Sequence, residues 1–546
     1  MKSNQIFNAI QHPAPQGNYF DLSHSHRTTS KMGTLVPIYC EEILAGDRIS
    51  INPRNLIRLM PLVTPAMDRI QVVTTAFFVP FRLCWPGDTS IGTGWESFFT
   101  NGGEQIGNPP PAMPRYAGEY SFLEGGFHDK LGAPIDVTMS EGRGTPFSAL
   151  YRQAYDLIWW EWYRDENLQG PDQGFNKPSI TAGATNPVND GLRRRNWPRD
   201  YYTASLPFAQ KGPAVSVPVS ANIDGIAKVM LDAAGPSPIF RPGAVGTLDG
   251  TVEGVAGGQM AVGGTTGAYF DPNGTLEVDG QYFQLGAIDS TINDLRTAYA
   301  IQSWLELNAV GGTRFIEALK VHFGTSPLDA RLQRPELIGS VFQTIAISEV
   351  LQTSETTENS ALGTMGGHGI ASNSRGLFRY NAQEPGIIYI LTSAFPEASY
   401  SQGLHRMFTR GSYFDFAWPS FARLGEQATL KREVVAKYHP DPMFNKEINE
   451  ANFGYMPRYC EYRFHNNMTT GLLRPGKNMQ AWTLTRHFDP SPANILELNS
   501  SFITLNPANR IFVDTDPSAE QLIMHWSFKI NCFRLLPKYG TPFKLS

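Results

Sequence analysis

Two histidines one residue apart, His24 and His26 in FDLSHSHRTTSKMG (Phe20–Gly33), have the spacing that opens the H-x-H metal motif of cupin-type jelly rolls. In that motif a glutamate, separated from the second histidine by three or four residues, completes the ligand set. Here those places hold Ser30 and Lys31. A lysine ammonium repels a cation, so the pair reads as polar contacts of an extended segment, and no metal or other cofactor is expected. A second constellation is RRRNWPRDYY, which places Arg193, Arg194, Arg195 and Arg199 among Trp197, Tyr201 and Tyr202. Guanidinium groups interleaved with aromatic rings grip single-stranded nucleic acid by phosphate pairing and base stacking. The same residue types anchor protein interfaces. Arg193, Arg194, Arg195, Trp197 and Arg199 are therefore candidate nucleic-acid contacts, with a protein interface as the competing reading.

Catalytic templates are missing. There is no G-x-S-x-G and no H-E-x-x-H. RPGKNM carries Gly476-Lys477 but Asn478 where a Walker loop needs a hydroxyl. The Gly-rich LGTMGGHG (Leu362–Gly369) lacks both the G-x-G-x-x-G order and a following helical pattern. No enzyme is expected.

The elements that would position these residues are mostly strands. LVPIYCEEILAGDRISI (Leu35–Ile51) holds two β-rich runs split by the turn Ala45-Gly46-Asp47, and IQVVTTAFFVPFRLCW (Ile70–Trp85) is the strongest strand candidate. Pro80 lacks an N–H for the ladder and belongs at an edge, bulge or strand end. From Arg334 short strands return: ELIGSVFQTIAISEV, GIIYILTSAF, YCEYRFHNNMTTG and LIMHWSFKINCFRLL. The clearest helix is Thr145–Leu168, with Thr145 as N-cap, Pro146 at the first helical position, and Phe147, Leu150, Tyr151, Ala154, Ile158 and Trp162 on one face. A second helix opens at Asn293 and stops before Gly311.

The chain has 546 residues, only 17% of them charged, with a net charge of −5 and with 51 Gly and 40 Pro spread along it. That suits short strands joined by long loops, and it confines any nucleic-acid contact to a local basic patch. Cys40, Cys84, Cys460 and Cys532 are too scattered for a zinc ribbon or a disulfide framework, which points to a reducing compartment. The first residues lack a signal-peptide pattern, and the apolar runs are too short to cross a bilayer. No fixed-period repeat is present. The expected layout is an N-terminal arm over 1–33 and the first part of a β-sandwich with a helical insertion over 34–220. A Gly-rich insertion over 221–290 and the second part of the sandwich over 291–546 follow.

Several strings carry a family resemblance: FDLSHSHRTTSKMGTLVPIYCEEILAGDRI, PLVTPAMDRIQVVTTAFFVPFRLCW, WPRDYYTASLPFAQKG, RPELIGSVFQTIAISEVLQTS, WPSFARLGEQA, FGYMPRYCEYRFHNNMTTGLLR and RLLPKYGTPF. In order along the chain, they resemble the major capsid proteins of the Microviridae, of the gokushovirus type. One departure is Glu384-Pro385-Gly386, where Glu-His-Gly is expected.

The resemblance implies an all-β-dominated viral jelly-roll β-sandwich with long loop and helical insertions. It further implies a T=1 icosahedral shell built of copies of this chain around circular single-stranded DNA. The virion would be assembled in a bacterial cytoplasm, and its implied partners include a small basic DNA-condensing virion protein and a pilot protein. His24 and His26 then belong to a structural N-terminal signature. The insertion at 221–290 corresponds to a protrusion at the threefold axes, a candidate for contact with a host-cell surface receptor, with Tyr269 and Phe270 as candidate contact residues. The alternative from a different class is a secreted β-sandwich that binds or processes carbohydrate.

Overall fold

The structure is a computed structural model. It describes residues 17–88, 93–100, 110–171, 190–213, 252–255, 259–262, 292–311, 315–323, 328–351, 365–489 (apart from 375) and 496–539, with a few isolated positions between them. Two compact units are present, one of Met1–Lys211 with Glu306–Ser546, the other Gly212–Leu305.

The first unit is built on antiparallel strands from both ends of the chain. They are β1 (Asn18–Asp21), β2 (His24–Ser30), β3 (Val36–Ile43), β4 (Arg48–Leu59) and β5 (Ile70–Pro80). In the second unit lie β6 (Val252–Val255) and β7 (Gln259–Val262), an antiparallel hairpin. The first unit resumes with β8 (Glu336–Leu351), β9 (Met365–Asn373), β10 (Phe378–Asn381) and β11 (Gly386–Pro396). The short β12 (Ser399–Tyr400), β13 (Glu426–Leu430), β14 (Asn452–Pro457) and β15 (Asn467–Met468) precede β16 (Leu522–Arg534). The main strands run in the order β1-β16-β4-β9-β8-β5-β11-β3, with β10 added to β4 and β2 to β16.

This continuous sheet curls into two layers because β8 belongs to both. Its first half pairs with β5, Ile345 facing Ile70, and its second half pairs with β9, Ala346 facing Ile370. The inner faces close on one core that joins Val36, Ile38, Ala76, Phe78, Ile388 and Ile390 from one layer to Ile49, Ile51, Ile57, Trp526, Phe528 and Ile530 from the other. The all-β-dominated sandwich expected from the sequence is the observed architecture. Gly46 makes the turn between β3 and β4 possible, since its φ of 89° lies where a Cβ is costly, and its N–H donates to the Ala382 carbonyl. Pro80 ends β5, where no further ladder bond is required of it.

The outer face of β3, β11 and β5 is buried as well. Phe77, Val79, Ile387, Tyr389 and Leu391 pack under a helical layer with Phe122, Phe127, Tyr155 and Ile158. Its short helices are α1 (Phe81–Cys84), α2 (Gly94–Phe99) and α3 (Phe127–Lys130), and its main one is α4 (Leu150–Ile158), continued by a π-turn over Trp159–Tyr163.

The helix expected over Thr145–Leu168 is therefore shorter at both ends. Thr145 does not cap it: its hydroxyl is tied back to Ser140, accepting from the Ser140 N–H at 3.0 Å and donating to the Ser140 carbonyl at 3.2 Å. The strand expected in YCEYRFHNNMTTG is reduced to β15, because Tyr459 sits at φ 62° and starts a tight turn over Cys460–Tyr462. The N-terminal residues from Asn18 on are strands of the main sheet, with β1 and β2 paired to β16. Helices α5 (Ile292–Val310) and α6 (Phe315–Phe323) follow the second unit's hairpin. Tyr269 and Phe270, with nearly all of 221–290, lie outside the described residues.

Candidate functional site

The period of a strand puts His24 and His26 on the same face of β2, opposite Phe528 and Trp526 of β16. That geometry suits chelation, but both rings are already used. Each Nδ1 lies 2.9 Å from a backbone carbonyl, Leu22 for His24 and Ile38 for His26, so Nδ1 must be the donor. The His24 ring also stacks on Tyr39 and leans on Phe528. Among the described residues no three His, Cys, Asp or Glu side chains gather as a metal set.

The segment Arg193–Tyr202 threads between the helical layer and the rest of the body. Arg193 pairs with Asp156 at 2.8 Å and lies over the Trp159 ring. Arg194 donates to the Leu505 carbonyl and to Asn506. Arg195 lies 3.9 Å from the centre of the Phe395 ring, and burial lowers its pKa. Trp197, only 6% exposed, packs with Phe395 and Leu505, with Arg486 over its ring. Tyr201 and Tyr202 donate to the Glu433 carboxylate and carbonyl from a second buried cluster. None of these three rings presents a face to solvent in the single chain; Arg199 is exposed.

Arg195 and Arg199 border an open groove of about 580 Å³ on the outer side of β5, β8 and β11. Its floor is Val73, Phe77 and Phe395; its rim includes Phe342, His465, Asp200 and Glu397. The two acids offset the arginines, so the groove carries no strong charge of one sign.

One buried constellation has the order of an acid–base relay. Tyr116 Oη lies 2.8 Å from His128 Nε2, and His128 Nδ1 lies 2.6 Å from Asp190. His128 is fully buried, its ring stacked 4.0 Å from Phe122, and Asp190 also accepts the backbone N–H groups of Leu123 and His128. Every member is satisfied within the helical layer, so the relay is a structural clasp.

The surface feature that sequence reading passed over is the segment Leu404–Leu424. It exposes Phe408 (69%), Tyr413 (66%), Phe414, Phe416 and Trp418, yet it is fixed. Arg406 and Arg410 reach the buried Glu433 and Glu461 at 3.7 and 3.6 Å. Ser412 and Asp415 form a capping box, and Trp418 Nε1 donates to the Tyr413 carbonyl at 2.8 Å. The available signal was aromatic density, as in MFTRGSYFDFAWPSF. It has no strand or helix period and so gave no indication of exposure.

A fixed aromatic ridge and an apolar-floored groove are surfaces of the kind that meet other macromolecules. The chain is 35% identical over 542 residues to capsid protein VP1 of Bdellovibrio phage phiMH2K, covering 96% of this chain and 94% of that protein. It is 32% identical over 585 residues to capsid protein VP1 of Chlamydia phage 1, covering 96% and 95%, and 26% identical over 557 residues to that of Spiroplasma virus 4, covering 95% and 94%. These are Microviridae, as the sequence strings imply. Membership sets the carbohydrate-binding alternative aside. With the sequence profile of the capsid protein (F protein) family matching residues 9–544, the chain belongs to that family and is a structural protein of a phage capsid.

Proposed function

We propose that copies of this capsid protein assemble through the Leu404–Leu424 ridge into a T=1 icosahedral shell around circular single-stranded DNA. The ridge carries the reading. Large aromatic side chains held rigidly in water cost solvation with no return in a lone chain, and burial against a symmetry mate recovers it. Because the ridge is pre-ordered by the Arg406–Glu433 and Arg410–Glu461 pairs, docking loses little conformational entropy. Phe408→Ser with Tyr413→Ser should leave the subunit folded but abolish particles in negative-stain images and shift sedimentation toward free subunits. Normal particles from this variant would refute the ridge as a shell contact.

The segment 221–290, with Tyr269 and Phe270, is proposed as the part that meets a host-cell surface receptor, since a loop with its own unit can vary without disturbing the sandwich. Deleting 236–275 should preserve particles and reduce attachment to host cells. Assembly in the host cytoplasm, with a small basic DNA-condensing protein and a pilot protein as companions, completes the reading.

A further inference from the structure

The outer face of β2, β16, β4 and β10 concentrates cations that the overall charge of −5 conceals. Cross-strand register fixes which residues share it. Ile523 stands between Thr29 and Arg58, His525 between Arg27 and Leu56, and Ser527 between Ser25 and Arg54. Lys529 faces Asn52, Asn531 faces Ser50, and Arg379 of β10 follows Ser50 on the far side of β4. At one end Tyr19, Phe533, Arg48 and Asn381 form a row across four strands.

Arg27, Arg48, Arg54, Arg58, Arg379 and Lys529 are all exposed. Among the described residues none of them makes an ion pair; the acids nearest the face stand at its margins, Asp21 opposite Asn531 and within Coulombic reach of Lys529, and Glu520, which accepts from the Thr29 hydroxyl and pairs with Lys130. The row at the end adds a stacking platform. Tyr19, 75% exposed, meets Phe533 edge-on with ring centres 5.2 Å apart, and Arg48 lies 5.6 Å from the Phe533 centre.

We infer that this face binds single-stranded nucleic acid, its phosphates on the Arg/Lys lattice and a base against Tyr19 and Phe533. The inference deepens, and rests on, the reading that the shell encloses single-stranded DNA. Unpaired cations spaced by Ser and Asn side chains, with an aromatic pair at one end, suit a flexible polyanion with ring faces. A contact between copies would deplete charge at its centre, and an anionic membrane surface would call for more exposed apolar area than Ile523 supplies. In the groove at Arg195 and Arg199, by contrast, Asp200 and Glu397 stand among the lining.

The test uses the full chain and a fluorescein-labelled twenty-nucleotide oligo-dT, with anisotropy read across a salt series. The variant Arg54→Ser, Arg58→Ser, Lys529→Ser should lower the slope of log affinity against log salt by about 2, near 0.7 per contact removed. Raising salt fourfold should then weaken the natural chain about twentyfold more than the variant. Tyr19→Ser should weaken binding with the slope unchanged. Should the triple variant not fold, Arg54→Gln and Arg58→Gln singly should each lower the slope by about 0.7. Unchanged affinity and slope overturn the inference, as does equal binding of vesicles of anionic phospholipid. In particles, shells that form normally but hold less DNA support it. Shells lost in the triple variant but formed by the natural chain make the face a subunit contact and refute it. If the natural chain forms no shells, the assembly reading fails while the oligo-dT result still stands or falls by itself.

Discussion

β11 and β16 are both long antiparallel strands, each one strand in from an end of the same curled sheet, but their environments differ. Every residue of β11 is buried, whereas β16 alternates strictly between core and solvent over most of its length. β11 lies between the inner core and the helical layer, so its odd and even side chains enter two separate clusters. That is why GIIYILTSAF reads as one apolar run and LIMHWSFKI as an alternation. A strand covered twice is committed to stability. A strand covered once has a free face for function, and on β16 that face is basic.

Substitution of adjacent residues breaks or sharpens this contrast. On β11, Ile388→Ala and Tyr389→Ala should both be severe, about 2–5 and 3–5 kcal/mol, since each vacates a different core. On β16, Trp526→Ala should cost about 3–5 kcal/mol, while Ser527→Ala one residue later should stay within about 0.5 kcal/mol. Denaturant midpoints of the purified subunit check all four. A mild Tyr389→Ala would mean that the helical layer is not a true second core.

Next in size is the clasp that holds the helical layer. Burial by itself would raise the Asp190 carboxyl, but hydrogen bonds from the His128 side chain and backbone and from the Leu123 N–H outweigh it and leave the group below its ordinary 3.8. A depressed carboxyl stabilises the fold above pH 3.8, and that contribution disappears as pH falls through the lower folded value. Asp190→Ala should cost about 3 kcal/mol, because it orphans buried donors, and Asp190→Asn should flatten the acid limb of the melting curve. Gly126→Ala offers a steric version, since its Cβ would meet the Asp190 carboxyl.

The smallest pH effect lies outside both layers. Burial first, and Glu306 second, push the Glu426 carboxyl up to about 7 against the pull of Arg463. The folded state keeps a proton there that the unfolded chain releases, so stability falls as pH rises from 4.5 to about 7 and then levels. Discounted for its half-exposed position, the effect is about 1 kcal/mol. Glu426→Gln should remove that slope, which melting temperatures across pH 4.5–7.5 would show.

Much of the fold was legible because strand burial writes itself into residue order: the β3/β4 turn at Gly46, the end of β5 at Pro80 and the helix ending before Gly311 all follow from local chemistry. The functional surfaces were less so. RRRNWPRDYY drew the eye because its charges are consecutive, yet Trp197, Tyr201 and Tyr202 are buried and Arg193 and Arg194 are spent on internal partners. The basic face is the opposite case. Its cations come from four strands in three widely separated stretches of the chain, β2 with β4, β10, and β16, and within a strand core residues stand between them.

The sequence alone determined strand identity, turn positions, the lack of catalytic and metal motifs and, through ordered strings along its length, the family. Each rests on neighbours within a few residues or on whole-chain pattern. Only the tertiary structure decided that the paired histidines bond backbone carbonyls, that the aromatic ridge is rigid and open, and that scattered arginines share one face. Those facts depend on register between strands distant in sequence, and register is set by the packing of the core as a whole.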